Sequence, residues 1–162
     1  MSNQEETLVQ NVQDFGESEG KQSIERCLTF ESGGLVMFLS TEYVTEIIND
    51  YPITPIPLVP SFIKGVINVR GRIFPALDIR LCMGMPQLEY TNKTCIIMLN
   101  IDSTVLGIVV DSVQKVMDID LNQVHPIPIK RRQKLLDGMV TVEDGRVLMS
   151  FDYKALASGQ YN

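Results

Sequence analysis

Histidine is almost missing from this sequence: His125, wedged before Pro126 in an extended apolar segment, is the only one in 162 residues. A Ser-His-Asp or Cys-His arrangement needs an imidazole beside its nucleophile, and this one reads as a partly buried structural side chain rather than a base. Cysteine is scarce too. Cys27, Cys82 and Cys95 are odd in number, far apart and set among apolar neighbours such as Leu28, Met83 and Ile96, the pattern of buried reduced thiols in a reducing compartment. Dispersed cysteines offer a metal no clustered ligands, and the one tight carboxylate pair, Asp118 and Asp120, alternates on a single solvated strand face. No metal and no cofactor is expected.

Positive charge is outnumbered. Lys and Arg total 14 against 20 Asp and Glu, for a net charge of −6 and a pI near 4.8. Phosphate backbones are gripped by clustered cations that release counterions, so this balance disfavours nucleic acid as a partner. The basic cluster Lys130-Arg-Arg-Gln-Lys134 has no interleaved aromatic residue and reads as a solvated turn. Long apolar runs are absent as well: none approaches the roughly 20 residues that span a bilayer, and no basic start followed by an apolar stretch opens the chain. A cytoplasmic location without direct membrane insertion is expected.

What is present is a β-rich text with 44% hydrophobic residues, enough for a core of ordinary size. Residues 1–22 hold Glu5, Glu6, Asp14, Glu17 and Glu19 among small polar residues and read as a disordered acidic tail. A folded domain is expected over 23–158, with a short C-terminal tail at 159–162. Short β-branched runs cut by Gly, Pro and Asp predict an all-β fold with strands at 24–31, 34–40, 44–49, 53–57, 66–70, 72–77, 94–101, 104–110, 113–119, 139–143 and 146–151. A helical turn is expected at Thr41–Tyr43, and turn residues predict hairpins 94–101 with 104–110 and 139–143 with 146–151.

An internal repeat bears on architecture. Gly65-Val-Ile-Asn-Val-Arg-Gly-Arg-Ile-Phe-Pro-Ala-Leu-Asp78 runs beside Gly138-Met-Val-Thr-Val-Glu-Asp-Gly-Arg-Val-Leu-Met-Ser-Phe-Asp152, the second copy longer by one turn residue. Each copy is followed by an Asp able to cap a short helix that a Gly then ends, Asp78 with Gly84 and Asp152 with Gly159. Upstream, Thr54-Pro-Ile-Pro57 matches His125-Pro-Ile-Pro128, and Val44-Thr-Glu-Ile-Ile48 matches Val113-Gln-Lys-Val-Met117. Two readings stay open: a duplicated unit, in which each half forms a small barrel of about five strands, or the general likeness of β-rich sequences.

The run Val59-Pro-Ser-Phe-Ile-Lys-Gly-Val-Ile-Asn-Val-Arg-Gly-Arg-Ile-Phe-Pro-Ala-Leu-Asp-Ile-Arg80 resembles the signature stretch of CheW-type chemotaxis coupling domains. Val44–Ile48 before it, then Thr94–Asn100 and Leu106–Val113 after it, agree in order and spacing, so the resemblance covers about residues 24–157. It implies two five-stranded SH3-like β-barrel subdomains with short helices and a groove between them, no enzymatic activity, and recruitment to membrane-bound receptor arrays. The implied partners are the regulatory domain of a CheA-type histidine kinase and the cytoplasmic hairpin tip of a methyl-accepting chemoreceptor. The same residues would serve a scaffold of a non-motility chemosensory pathway, and a β-barrel module for a ligand or nucleic acid is a more distant alternative.

By resemblance the receptor-binding groove is lined by Val44, Gly65, Asn68, Val69, Arg70 and Val116, with Ile48 a weaker member, and Gly65 is expected to admit close backbone approach. Ordinary barrel core is the competing reading for Val44, Val69 and Val116. Arg70 is expected to form a structural salt bridge with Glu46 across neighbouring strands. The repeat aligns Lys115 with Glu46 and Glu143 with Arg70, which predicts a charge-reversed pair in the second half. Lys130–Asp137 departs from the family pattern, so kinase-contact residues are not assigned.

Overall fold

A computed structural model describes residues 23–50, 52–128 and 134–159. The expected tail at 1–22, residue 51, residues 129–133, which include all of the basic stretch but Lys134, and residues 160–162 lie outside the described residues.

The described chain is all-β with two one-turn helices. β1 (Ile24–Ser32) and β2 (Leu35–Ser40) form a hairpin; a 3-10 turn at Thr41–Tyr43 leads to β3 (Val44–Asn49); β4 (Ile63–Val69) and β5 (Arg72–Asp78) form a second hairpin, followed by α1 (Ile79–Cys82). β6 (Cys95–Ile101), β7 (Thr104–Val110) and β8 (Ser112–Asp120) come next; after a 3-10 turn at Leu121–Gln123 follow β9 (His125–Pro126), β10 (Leu136–Thr141), β11 (Val147–Phe151) and α2 (Tyr153–Ala157). The expected strand at 53–57 shrinks to one bridge, Thr54 with Val66, because prolines at 52, 55, 57 and 60 withhold the N–H groups a ladder needs.

Local chemistry accounts for the punctuation. The β1–β2, β4–β5 and β6–β7 turns each place two consecutive residues at positive φ: Gly33 and Gly34, Arg70 and Gly71, Asp102 and Ser103. This backbone twist suits two-residue hairpins. Asp152 accepts a bond from Ala155 N at 3.0 Å and Asp78 accepts one from Leu81 N at 3.4 Å, so both expected caps start their helices.

The strands make two sheets, a five-stranded one in the order β3-β6-β7-β5-β4 and a six-stranded one in the order β8-β1-β2-β11-β10-β9, the two-residue β9 accounting for the sixth. Both sheets curl so that their end strands approach one another without pairing. The chain passes from β8 to β9, opposite ends of one sheet, through a single 3-10 turn, and Glu46 on β3 reaches Arg70 just after β4, at opposite ends of the other.

The two copies correspond in strand pairing as well, and the correspondence extends further than the sequence matches indicated. Leu28 pairs with Val116 as Ile97 pairs with Ile47, and Phe30 pairs with Val113 as Leu99 pairs with Val44, each with a bulge at the same place. The halves do not, however, fold as separate barrels. The β1–β2 hairpin of the first half sits between β8 and β11 of the second, and the β6–β7 hairpin of the second half sits between β3 and β5 of the first. The parallel pairings β2 with β11 and β5 with β7 are the seams of this exchange. A hairpin carries the same alternating pattern whichever partner it joins, so its own residues do not disclose the choice. One apolar core draws on both sheets, with Leu28, Phe30, Met37 and Phe151 from one packed with Leu77, Ile97, Leu99 and Ile108 from the other.

Candidate functional site

The residues expected in the groove fall on two neighbouring structures. Val44, Gly65, Asn68, Val69 and Arg70 belong to β3, β4 and the β4–β5 turn of the five-stranded sheet, whereas Val116 lies on β8 of the six-stranded sheet. Val44 is half-buried against the shared core, and Val69 packs against a smaller cluster around Ile48, Ile67 and Ile96. Val116 is 42% exposed and Ile48 only 7%, so Val116 is surface and Ile48 is core. Ile47, which the sequence reading passed over, is 41% exposed. Ile47 and Val116 occupy the same position in the two repeats, a signal the Val44 and Val113 alignment already contained.

Arg70 stands in the left-handed region at φ 53, which presents its side chain from the tip of the hairpin. Asn68 stabilises that tip by accepting the Gly71 N–H at 2.9 Å. The guanidinium meets the Glu46 carboxylate fork to fork, Nη2 to Oε1 at 3.3 Å and Nη1 to Oε2 at 3.4 Å. The Arg70 side chain is 78% exposed and that of Glu46 35%. So open a pair adds under about 1 kcal/mol of stability, and its effect is to orient Arg70 while other N–H donors stay available.

Gly65 has a different use from the expected one. It is buried at φ +148, and a Cβ there would lie 2.1 Å from the Thr54 carbonyl oxygen. The close approach it permits is internal, by the 52–62 connection, which bonds to β4 through Thr54 N to Val66 O and Val66 N to Thr54 O, both 2.9 Å.

The charge-reversed pair does not form: among the described residues no ion pair joins Lys115 to Glu143. The extra residue of the second turn brings Asp144 beside Arg146, 2.8 Å from its Nε, and the Arg146 backbone N–H, with lesser help from Lys115, holds the Asp144 carboxyl below its usual range. Lys115 and Glu143 instead line a cleft of about 580 Å³ between β8 and β10, floored by Met117, Ile119, Val140 and Val142. The gap that Glu46 and Arg70 bridge in one barrel is thus an open trough in the other.

His125 is exposed on β9, not partly buried as expected, because β9 lies at a sheet edge. Asp118 pairs with Arg26 at 3.6 Å and Asp120 caps the following turn through Asn122 N at 3.0 Å. No group of His, Cys, Asp and Glu among the described residues could hold a metal ion. The three cysteines are free and buried. Desolvation, helped by nearby carboxylates, pushes the Cys27 and Cys82 thiols up to about 12. No helix among the described residues is long and apolar enough to cross a membrane.

Twin exchanged barrels with an oriented surface arginine are accompanied by a match of residues 26–160 to the CheW-like domain. The chain belongs to the CheW-like family. It is 34% identical over 120 residues to the chemotaxis protein CheW of Klebsiella aerogenes, covering 72% of each chain. With the chemotaxis protein CheW of Thermotoga maritima it shares 31% identity, covering 77% of this chain and 82% of that one. Among solved structures, the scaffolding protein TtCheW from Thermoanaerobacter tengcongensis superposes with a TM-score of 0.73 at 28% identity, over 78% of this chain and 88% of that one. This CheW-like chain is accordingly a chemotaxis coupling adaptor by family.

Proposed function

We propose that this chain is a non-catalytic adaptor that holds the regulatory domain of a CheA-type histidine kinase against the cytoplasmic hairpin tip of a methyl-accepting chemoreceptor. It would act in the cytoplasm, recruited to receptor arrays. An adaptor needs two surfaces at a set separation and orientation rather than a reactive group, and its binding energy comes from apolar burial registered by a few polar contacts.

The observation that carries this reading is Arg70: exposed, yet aimed by Glu46 and by a hairpin tip that Asn68 secures. Half-buried Val44 and Val69, with exposed Val116 and Ile47, would supply apolar area for a receptor helix. A guanidinium fixed by one carboxylate keeps donors for a second partner at little further entropic cost.

Arg70→Ala tests it. Because the ion pair is so exposed, thermal unfolding should move by no more than a few degrees. Co-sedimentation with receptor fragments in the presence of the kinase should be lost. Assembly that proceeds as in the parent chain would remove Arg70 from the site.

A further inference from the structure

The exchange of hairpins makes the chain pass between the sheets at two repeat-related points. Thr41–Tyr43 carries it from β2 to β3, and Asp111 carries it back from β7 to β8. Both crossings are pinned to a one-turn helix, by different chemistry. At the first, Tyr43 stacks on Tyr153 of α2 with ring centroids 4.2 Å apart, and their hydroxyls lie 3.0 Å apart. At the second, Asp111 takes the guanidinium of Arg80 on α1 in two-point contact, Nε to Oδ1 at 3.1 Å and Nη2 to Oδ2 at 2.6 Å.

Asp111 does more than close one ion pair. Its Oδ2 also accepts the Gly33 N–H at 3.0 Å, and its own N–H donates to the Glu31 carbonyl at 2.9 Å. Gly33 is the tip of the β1–β2 hairpin in the six-stranded sheet, while Arg80 belongs to the five-stranded side. The tip is also crowded by Met85, three residues past α1: a Cβ on Gly33 would sit 2.0 Å from Met85 Sδ. One carboxylate therefore ties the hairpin tip, the crossover and α1 together. The Arg80 side chain is only 15% exposed against 78% for Arg70, while the two carboxylates are alike at 34% for Asp111 and 35% for Glu46.

Apolar burial between the sheets is non-directional and tolerates small rotations, whereas a planar guanidinium on a carboxylate tolerates few. We propose that Arg80 and Asp111 are positioning residues that set the angle between the two barrels and, through it, the relative placement of the adaptor's two docking surfaces. The second half of this statement rests on the adaptor reading; the first does not.

Arg80→Met, which keeps the stem and removes the fork, separates the two. Backbone N–H residual dipolar couplings from β3–β7 and from the β1, β2, β8, β10 and β11 set should fit one alignment tensor in the parent chain. In the variant each set should fit its own sheet but the two should need different orientations. Binding to the isolated kinase regulatory domain and to the isolated receptor tip should stay within about twofold, while joint assembly, which needs both contacts at once, should weaken roughly a hundredfold. Arg80→Lys, with charge but no fork, should show the same separation of tensors and covers the case in which Arg80→Met fails to fold. Couplings that still fit one tensor in the parent orientation overturn the latch. Altered orientation with unweakened assembly overturns its role in docking, and a parent chain that binds neither fragment overturns the adaptor reading and leaves the couplings to decide the latch.

Discussion

Gly65→Ala distinguishes a glycine demanded by the fold from one reserved for a partner. The backbone there is at φ +148, which only glycine occupies without strain, and the new Cβ would lie 2.1 Å from Thr54 O and 2.7 Å from Thr54 C. Those atoms are main chain and cannot swing aside. To make room the 52–62 connection must lift from β4, breaking the two 2.9 Å bonds between Thr54 and Val66, worth together about 1–3 kcal/mol, with backbone strain adding about 1–3 kcal/mol. A central loss near 4 kcal/mol lowers the melting temperature of a domain this size by roughly 8–16 °C. The repeat supplies the control. Gly138, its counterpart, would meet the Val124 side chain at 2.8 Å and the His125 carbonyl at 3.2 Å, contacts that a rotamer change and a small shift can relieve. Urea unfolding of both variants should therefore rank Gly65→Ala well below Gly138→Ala. Equal losses, or a Gly65→Ala change too small to measure, would refute the claim that the Thr54 carbonyl occupies the missing side chain's place.

Two further outcomes follow from local chemistry. Asp152→Ala removes the acceptor for Ala155 N and should cost about 1 kcal/mol in chemical denaturation; an unchanged midpoint would mean that α2 does not need its cap. Cys27 and Cys82, with thiols near 12 through burial and neighbouring carboxylates, carry roughly one thiolate in ten thousand molecules at pH 8. A thiol reagent should modify them only as fast as the chain opens, and labelling within minutes in native buffer would contradict their burial.

Much of the fold could be read residue by residue. The turn at Thr41–Tyr43, the β6–β7 hairpin and the helix starts at Asp78 and Asp152 are local events, decided by side chains within a few positions of the backbone groups they satisfy. Arg70 and Glu46 were legible through the family resemblance, and the ion pair it implied forms. The Lys115 and Glu143 pair misled because a single inserted turn residue brings Asp144 to Arg146 instead. Ile47 escaped notice because strand alternation alone does not say which face a doubly wrapped barrel leaves open. Burial separates it from Ile48, its neighbour in sequence.

By itself the sequence determined most of the strands, the turns and the helix caps, since each depends on periodicity or on side chains close by in the chain. Only the tertiary structure decided that the two halves trade hairpins, that Gly65 makes room for Thr54, and that Asp111 gathers Arg80 and Gly33 at one crossover. Those facts are contacts between residues far apart in the chain, and the free energy that selects among alternative long-range pairings of similar strands belongs to the assembled core, not to any segment of it.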